Sequence, residues 1–144
     1  MTLALLVRWI HVLAAMVWIG GMLFVALVLV PAARRLDPAL RARLVHDLGV
    51  RFRTVGWIAL LVMIATGLLN LWFRPYLLAA PRFHVKIALV IVALGLAALH
   101  DFVLGPRAGQ AGADPAARVR ASWVARTNVL IALAIVLLGL ALRG

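Results

Sequence analysis

The sequence predicts an all-α membrane protein: a four-transmembrane-helix bundle with a cytoplasmic amphipathic segment between helices 1 and 2. Three observations predict it. The chain of 144 residues is 67% hydrophobic and only 13% charged, a balance that belongs to membrane proteins. Four apolar stretches approach the length of about 20 residues that crosses a bilayer. In lipid, a backbone run of that length satisfies its own hydrogen bonds only as a helix.

Helix 1 is expected over residues 9–30, ending at Pro31. Arg8 interrupts the early apolar run, and the run after it is too long for the apolar region of a signal peptide, so an uncleaved first helix is expected. "PAARRLDPALRARLVHDLGVRFR" then sets Leu36, Leu40, Leu44 and Leu48 at four-residue spacing with arginines between them. That pattern predicts an amphipathic helix lying at the cytoplasmic interface. Asp37 before Pro38 reads as its N-cap with proline at the first helical position. Helix 2 is expected over 55–73, stopping at "RPY". "AAPRFH" leads into helix 3, residues 84–104, which carries His100 and Asp101 near its end. "GPRAGQAGADPAAR" is the expected flexible linker. Val129–Leu142 is short, and helix 4 reaches full length only when Trp123–Asn128 join it, giving 123–142. The four spans fill residues 1–144 as one expected domain, and no internal repeat is expected. Trp9, Trp57, Trp72 and Trp123 fall near span ends, as interfacial tryptophans do. Trp18 is deep.

The formal net charge is +11, but its distribution speaks for topology and not for nucleic acid. Arg34, Arg35, Arg41, Arg43, Arg51, Arg53, Arg107, Arg118, Arg120 and Arg126 belong to the two links that share one side. Arg8, Arg74, Arg82, Lys86 and Arg143 belong to the other. The positive-inside rule then puts both links in the cytoplasm and both termini outside. The expectation is a multi-pass protein of a bacterial-type inner (plasma) membrane, its arginines also meeting anionic lipid. With no cysteine in the chain, disulfides, thiolate metal sites and cysteine nucleophiles are excluded.

Ionisable groups inside spans are costly, and they usually face a bundle interior or a polar cavity. His11 lies just inside the outer boundary, with Arg8, Ala15, Trp18 and Met22 on its helical face. Met63, Thr66 and Asn70 share a face of helix 2, with Asn70 about 4–5 Å and Thr66 about 10 Å below that boundary. His84 and Lys86 open helix 3. They point about 200° apart on a regular helix, and both of their faces continue in small or apolar residues, so periodicity does not choose between them. Lys86 is the only lysine of fifteen basic residues. All four aspartates are assigned to the inner side, so this outer group of imidazoles and cations suits an anionic ligand. Haem b fits: two neutral imidazoles hold the iron, cations pair with the propionates, Trp18 forms a wall, and Gly20, Gly21 and Gly67 permit close approach. The plain alternative is that His11 hydrogen-bonds a neighbouring helix, Arg8 snorkels to headgroups and the glycines pack helices. Copper is a further alternative, with His11, Met22, Met63 and His84 as candidate ligands. On the inner side His100, Asp101 and Arg53 form a secondary cluster, read as an ion-pair group at a helix end or as a second ligand or proton-transfer site; Arg126 is another expected partner of the His100–Asp101 pair.

"RWIHVLAAMVWIGGMLF" resembles the first helix of the CopD-type copper resistance domain, in which a histidine precedes a Trp-x-Gly-Gly pattern. "RFRTVGWIALLVMIATGLLNLW" resembles that family's Arg-Phe entry followed by Thr-Gly. "RFHVKIALVIVALGLAALH" is similar to the helix that carries His-x-Lys in CopD domains and in the related HemJ-type protoporphyrinogen oxidases. The resemblance covers spans 1 to 3. It implies a four-helix membrane protein tied to haem or copper, corresponding to the minimal domain of the usually larger CopD proteins. The HemJ likeness implies a haem-dependent oxidoreductase with a porphyrin substrate or redox partner, its first-span histidine mapping onto His11 and its His-x-Lys onto His84 and Lys86. The HemJ pattern has a further histidine after span 1, where this chain reads "LVLVPAARR". Residues and resemblance together predict haem b in the outer half, with His11 and His84 as axial ligands and Arg8 and Lys86 near the propionates. The alternatives are copper handling and a cofactor-free assembly or structural subunit.

Overall fold

In a computed structural model of the chain, which describes residues 2–110 and 114–142, four helices are long and apolar enough to cross a membrane. They are α1 (Leu3–Ala33), α2 (Pro38–Trp72), α3 (Pro81–Ala108) and α4 (Pro115–Ala141). No strand occurs among the described residues. A short 3-10 turn, Pro75–Ala79, follows α2. Part of the expected flexible linker, residues 111–113, and Arg143 of the outer charge group lie outside the described residues. The chain groups into two compact units divided between Leu77 and Leu78. Each is a helix hairpin, α1 packing on α2 in the first and α3 on α4 in the second.

Helix 1 does not stop at Pro31. Its regular α-helix, Leu3–Phe24, continues through a π-helical turn at Val25–Leu29 into Val30–Ala33. A proline inside a helix removes one hydrogen bond and crowds the carbonyl four residues back. The π-turn absorbs this: the Val30 N–H reaches the carbonyl of Val25, five residues back. Nor is the leucine-spaced segment a separate interfacial helix. Asp37 caps as expected, its Oδ1 accepting from Ala39 N–H at 2.9 Å, but nothing between Leu48 and Val55 breaks the helix, which runs on to Trp72. Its 35 residues extend about 52 Å at 1.5 Å per residue. The hydrocarbon core takes about 30 Å of that, so the arginine-rich first turns continue past the apolar span.

Small side chains dominate what is buried: Ala14, Ala33, Gly56 and Ala59 in the first unit, and Ala93, Ala97, Ala121 and Ala132 in the second. Between lipid-solvated helices the hydrophobic effect supplies no driving force, and small residues let backbones approach so that dispersion and hydrogen bonds can hold them. Large residues such as Leu61, Leu68, Ile91, Leu130 and Leu137 are exposed, as suits a lipid-facing surface. Trp9, Trp72 and Trp123 are also exposed. The Arg126 guanidinium lies 5.9 Å from the centre of the Trp123 ring, a cation–π distance.

The two hairpins follow one plan that residue identities hide. In the second, a π-turn at His100–Leu104 precedes Pro106, and the Gly105 N–H reaches back to the His100 carbonyl. The π-turns, the prolines and the helix ends Ala33 and Ala108 are all related by one constant spacing along the chain. Asp114 then caps α4 as Asp37 caps α2, accepting from Ala116 N–H at 3.0 Å, again with proline first in the helix. The spacing that relates the π-turns carries His11 onto Lys86. A second constant spacing relates Gly56, Leu60 and Gly67 of α2 to Asn128, Ala132 and Gly139 of α4. In both sets the first two members are buried.

Candidate functional site: a seated imidazole in the first hairpin

The best-defined polar group inside a span is His11. It is half-buried on α1, and its ring rests on the backbone of α2 at Gly67. A Cβ on Gly67 would lie 3.5 Å from His11 Cε1 and 3.9 Å from Nδ1. His11 Nδ1 lies 3.0 Å from the Met63 carbonyl oxygen and 2.9 Å from Thr66 Oγ1. Thr66 is buried, and its hydroxyl donates along its own helix to the Val62 carbonyl at 2.6 Å, the usual back-bond of a helical threonine.

These contacts favour one protonation pattern of the ring. A carbonyl oxygen only accepts, and the single hydroxyl proton of Thr66 is directed to Val62. Both partners of Nδ1 therefore require a proton on Nδ1. In the neutral ring the lone pair is then on Nε2. Metal-bound histidines are commonly held this way, with the ring N–H that does not face the metal donating to a carbonyl or other oxygen, which fixes tautomer and orientation. The arrangement also supplies the hydrogen bond that a polar side chain in a span demands.

Two to three turns further along α1 the helices again approach closely at glycines. The Phe52 ring occupies the position a Cβ on Gly21 would take. Trp18 is 6% exposed and lies 3.6 Å from the Cβ position of Gly56, so a glycine on one helix receives an aromatic ring from the other in both directions. Gly21 and Gly67 thus do what the plain alternative gave them, letting one helix pack against a side chain of the other, whereas Gly20 has nothing within 4 Å of its Cβ position. Arg8, Asn70, Met22 and Met63 are half-buried. Met63 meets His11 through its backbone carbonyl, a role that a ligand search among side chains passes over.

In the second hairpin the structure chooses between the two faces of α3. Lys86 Nζ lies 3.5 Å from the Cβ position of Gly139 on α4, and its stripe continues through the buried Ala93 and Ala97. His84 is exposed; its Nδ1 donates to the Ala80 carbonyl at 3.2 Å, and its ring meets Phe83 edge-on at a centroid distance of 6.2 Å. At the π-turn His100 Nδ1 is 2.9 Å from Asp101 Oδ1. The inner cluster thus contains a bonded imidazole–carboxylate pair of sequence neighbours. Arg126, an expected partner of that pair, lies over Trp123. Among the described residues no three His, Cys, Asp or Glu side chains converge as a metal site.

Four apolar helices, small-residue packing and a hydrogen-bonded imidazole inside a span define a multi-pass helical membrane protein with a polar station in its first hairpin. Residues 46–142 match the family described as CopD, copper resistance protein D, and the chain belongs to that family. The matched region contains Thr66, Gly67, His84, Lys86 and His100, and begins after α1 and His11. The chain is also 32% identical over 139 residues to an uncharacterized protein of Aquifex aeolicus (strain VF5), an alignment covering 94% of this chain and 92% of that one. No solved structure matches.

Proposed function

We propose that the protein binds haem b through His11 and serves electron transfer or oxidation in the membrane. The observation that supports this reading is the seating of His11, with Nδ1 donating into α2 and the Nε2 lone pair suited to iron. Haem also fits the donor set. The porphyrin supplies four of the iron's ligands, so one or two imidazoles complete the coordination, whereas a bare ion needs several protein donors at once. When bound, haem b supplies one-electron chemistry; the protein's part is to hold the ring nitrogen, keep water away with the Trp18 and Phe52 packing, and offer cations such as Arg8 to acidic groups. His84, with its own Nδ1 tied to a carbonyl, is a separate candidate ligand, and Lys86 a candidate partner for a propionate. A porphyrin substrate or a redox partner follows from this reading.

The second reading is copper handling. The family's name favours it, and Met63 stands on the turn of α2 that receives His11; Met22, eleven residues beyond His11 on the same regular helix, is about 16 Å away along the axis. The experiment is an absorption spectrum of the purified full chain together with elemental analysis. Haem predicts a Soret band that shifts on reduction and disappears in His11→Ala, and a parallel His84→Ala reads whether that imidazole also ligates. A colourless preparation with stoichiometric copper defeats the haem reading in favour of copper. A colourless, metal-free preparation favours an assembly or structural subunit.

The proposed orientation, both termini outside an inner membrane, rests on the arginine distribution and is open to a direct test because the chain has no cysteine. A single cysteine at Thr2 is expected to react with a membrane-impermeant maleimide on intact cells. One at Gln110 is expected to react only after permeabilisation. The reverse pattern inverts the topology.

A further inference from the structure

We infer that Thr66 is a positioning residue that, beside the Met63 carbonyl, biases His11 toward the Nδ1–H tautomer, and through it raises the electron-donating strength of the Nε2 lone pair. The inference deepens the haem reading and rests on it for its functional meaning, while its physical content stands on the hairpin alone. The Thr66 hydroxyl has one proton and two lone pairs. Its proton is directed to Val62 O at 2.6 Å, with Met63 O a longer 3.3 Å away. What it offers His11 at 2.9 Å is therefore a lone pair. The Met63 carbonyl, the other acceptor at 3.0 Å, faces the helix's own amide ladder as well, so the hydroxyl is the acceptor less committed elsewhere.

The second hairpin supplies an internal control. At the station equivalent to His11 stands Lys86, and it too rests on a glycine of the returning helix, Gly139. At the station equivalent to Thr66 stands Leu138. The glycine is present in both hairpins, so it belongs to the packing plan. The hydroxyl is present only where the ionisable group is an imidazole. A threonine placed merely to pack or to bond its own helix would have no reason to accompany the histidine. A ligated imidazole whose far N–H is hydrogen-bonded is the more basic ligand, so such partners tune a bound metal.

The test uses the full chain in lipid nanodiscs with isotope-labelled histidine, produced in a haem-deficient host. Nitrogen NMR reads which ring nitrogen carries the proton, and His11→Gln identifies the signal. The wild type is expected to be protonated on Nδ1 and unprotonated on Nε2. Thr66→Val keeps the side-chain shape and removes the acceptor; the ratio of Nδ1–H to Nε2–H tautomer is expected to fall about fivefold, as for the loss of one neutral hydrogen bond. Thr66→Ser is expected to restore it. In the haem-loaded wild type and variants, the reduction midpoint is expected to move to more positive potential in Thr66→Val and back in Thr66→Ser. A wild-type ring protonated on Nε2, whether neutral or doubly protonated, overturns the inference even if neither variant folds. An unchanged ratio in Thr66→Val also overturns it. A wild type without a Soret band defeats the haem reading but leaves the tautomer result standing, so the two failures are distinguishable.

Discussion

Gly21→Leu is expected to split the first hairpin, while Gly20→Leu, one residue away, is expected to be nearly silent. The Phe52 ring already sits where a Gly21 Cβ would go. An added side chain must push that ring aside, and the ring stands near Gly56 on its own helix, with a Cβ position 3.9 Å from Cζ. Phenylalanine has few rotamers with which to yield. Overpacking of this kind costs about 1–3 kcal/mol, and leucine adds three further carbons beyond Cβ. Gly20 is exposed and has nothing within 4 Å of its Cβ position. There leucine gains helix propensity, about 1 kcal/mol at most, and meets lipid. Thermal unfolding in detergent, or titration with a denaturing detergent, reads both. Phe52→Ala in the Gly21→Leu background is expected to recover most of the loss, because the new side chain fills the volume the ring vacates. Equal effects at Gly20 and Gly21 would mean that α1 does not present this face to α2.

The contrast between adjacent glycines also shows where sequence reading stops. Span number and class follow from composition, because only helices keep long apolar runs hydrogen-bonded in lipid. The Asp37–Pro38 start was legible for a similar reason: capping is local chemistry. The end of helix 1 was not. Proline signals a stop, but a single π-turn at Val25–Leu29 accommodates Pro31, and no residue type announces that turn. The continuity of the leucine-spaced arm with α2 was not legible, since Gly49, a residue at which a helix can end, lies inside the unbroken run. At the site, depth alone placed His11 near Thr66 and Asn70. It could not name the Met63 carbonyl, because a backbone acceptor carries no signature in residue identity. His84 and Lys86 stayed equivalent until the burial of Ala93 and Ala97 showed which stripe is covered. The repeat was hidden because what it conserves is geometric: a π-turn before a proline, a capped start and a glycine under an ionisable side chain. Histidine in one hairpin stands for lysine in the other, and the charged arm of α2 is longer than that of α4.

Size at Gly67 is expected to act as a switch on the seating of His11. An alanine Cβ would stand 3.5 Å from Cε1 and 3.9 Å from Nδ1. Those are ordinary contact distances, so Gly67→Ala is expected to keep the ring where it is, and to leave the Soret band of a haem-loaded protein unchanged. Leucine is different: its branch extends from that Cβ into the volume of the ring, while leucine remains a good helix former, so α2 itself persists. The imidazole must then leave both Met63 O and Thr66 Oγ1. Two hydrogen bonds of about 1 kcal/mol each make about 2 kcal/mol, a factor of about thirty in the population of the seated ring. On the haem reading, Gly67→Leu is therefore expected to lose nearly all Soret absorbance per protein, with helical circular dichroism preserved. In the metal-free chain it is expected to release the preference for Nδ1–H. Full Soret intensity in Gly67→Leu would show that the ligand nitrogen is held by something other than this contact with α2. The same substitution at Gly139 meets the end of a flexible lysine chain, which can swing aside. The two equivalent glycines thus differ in what they tolerate because of the side chain each one seats.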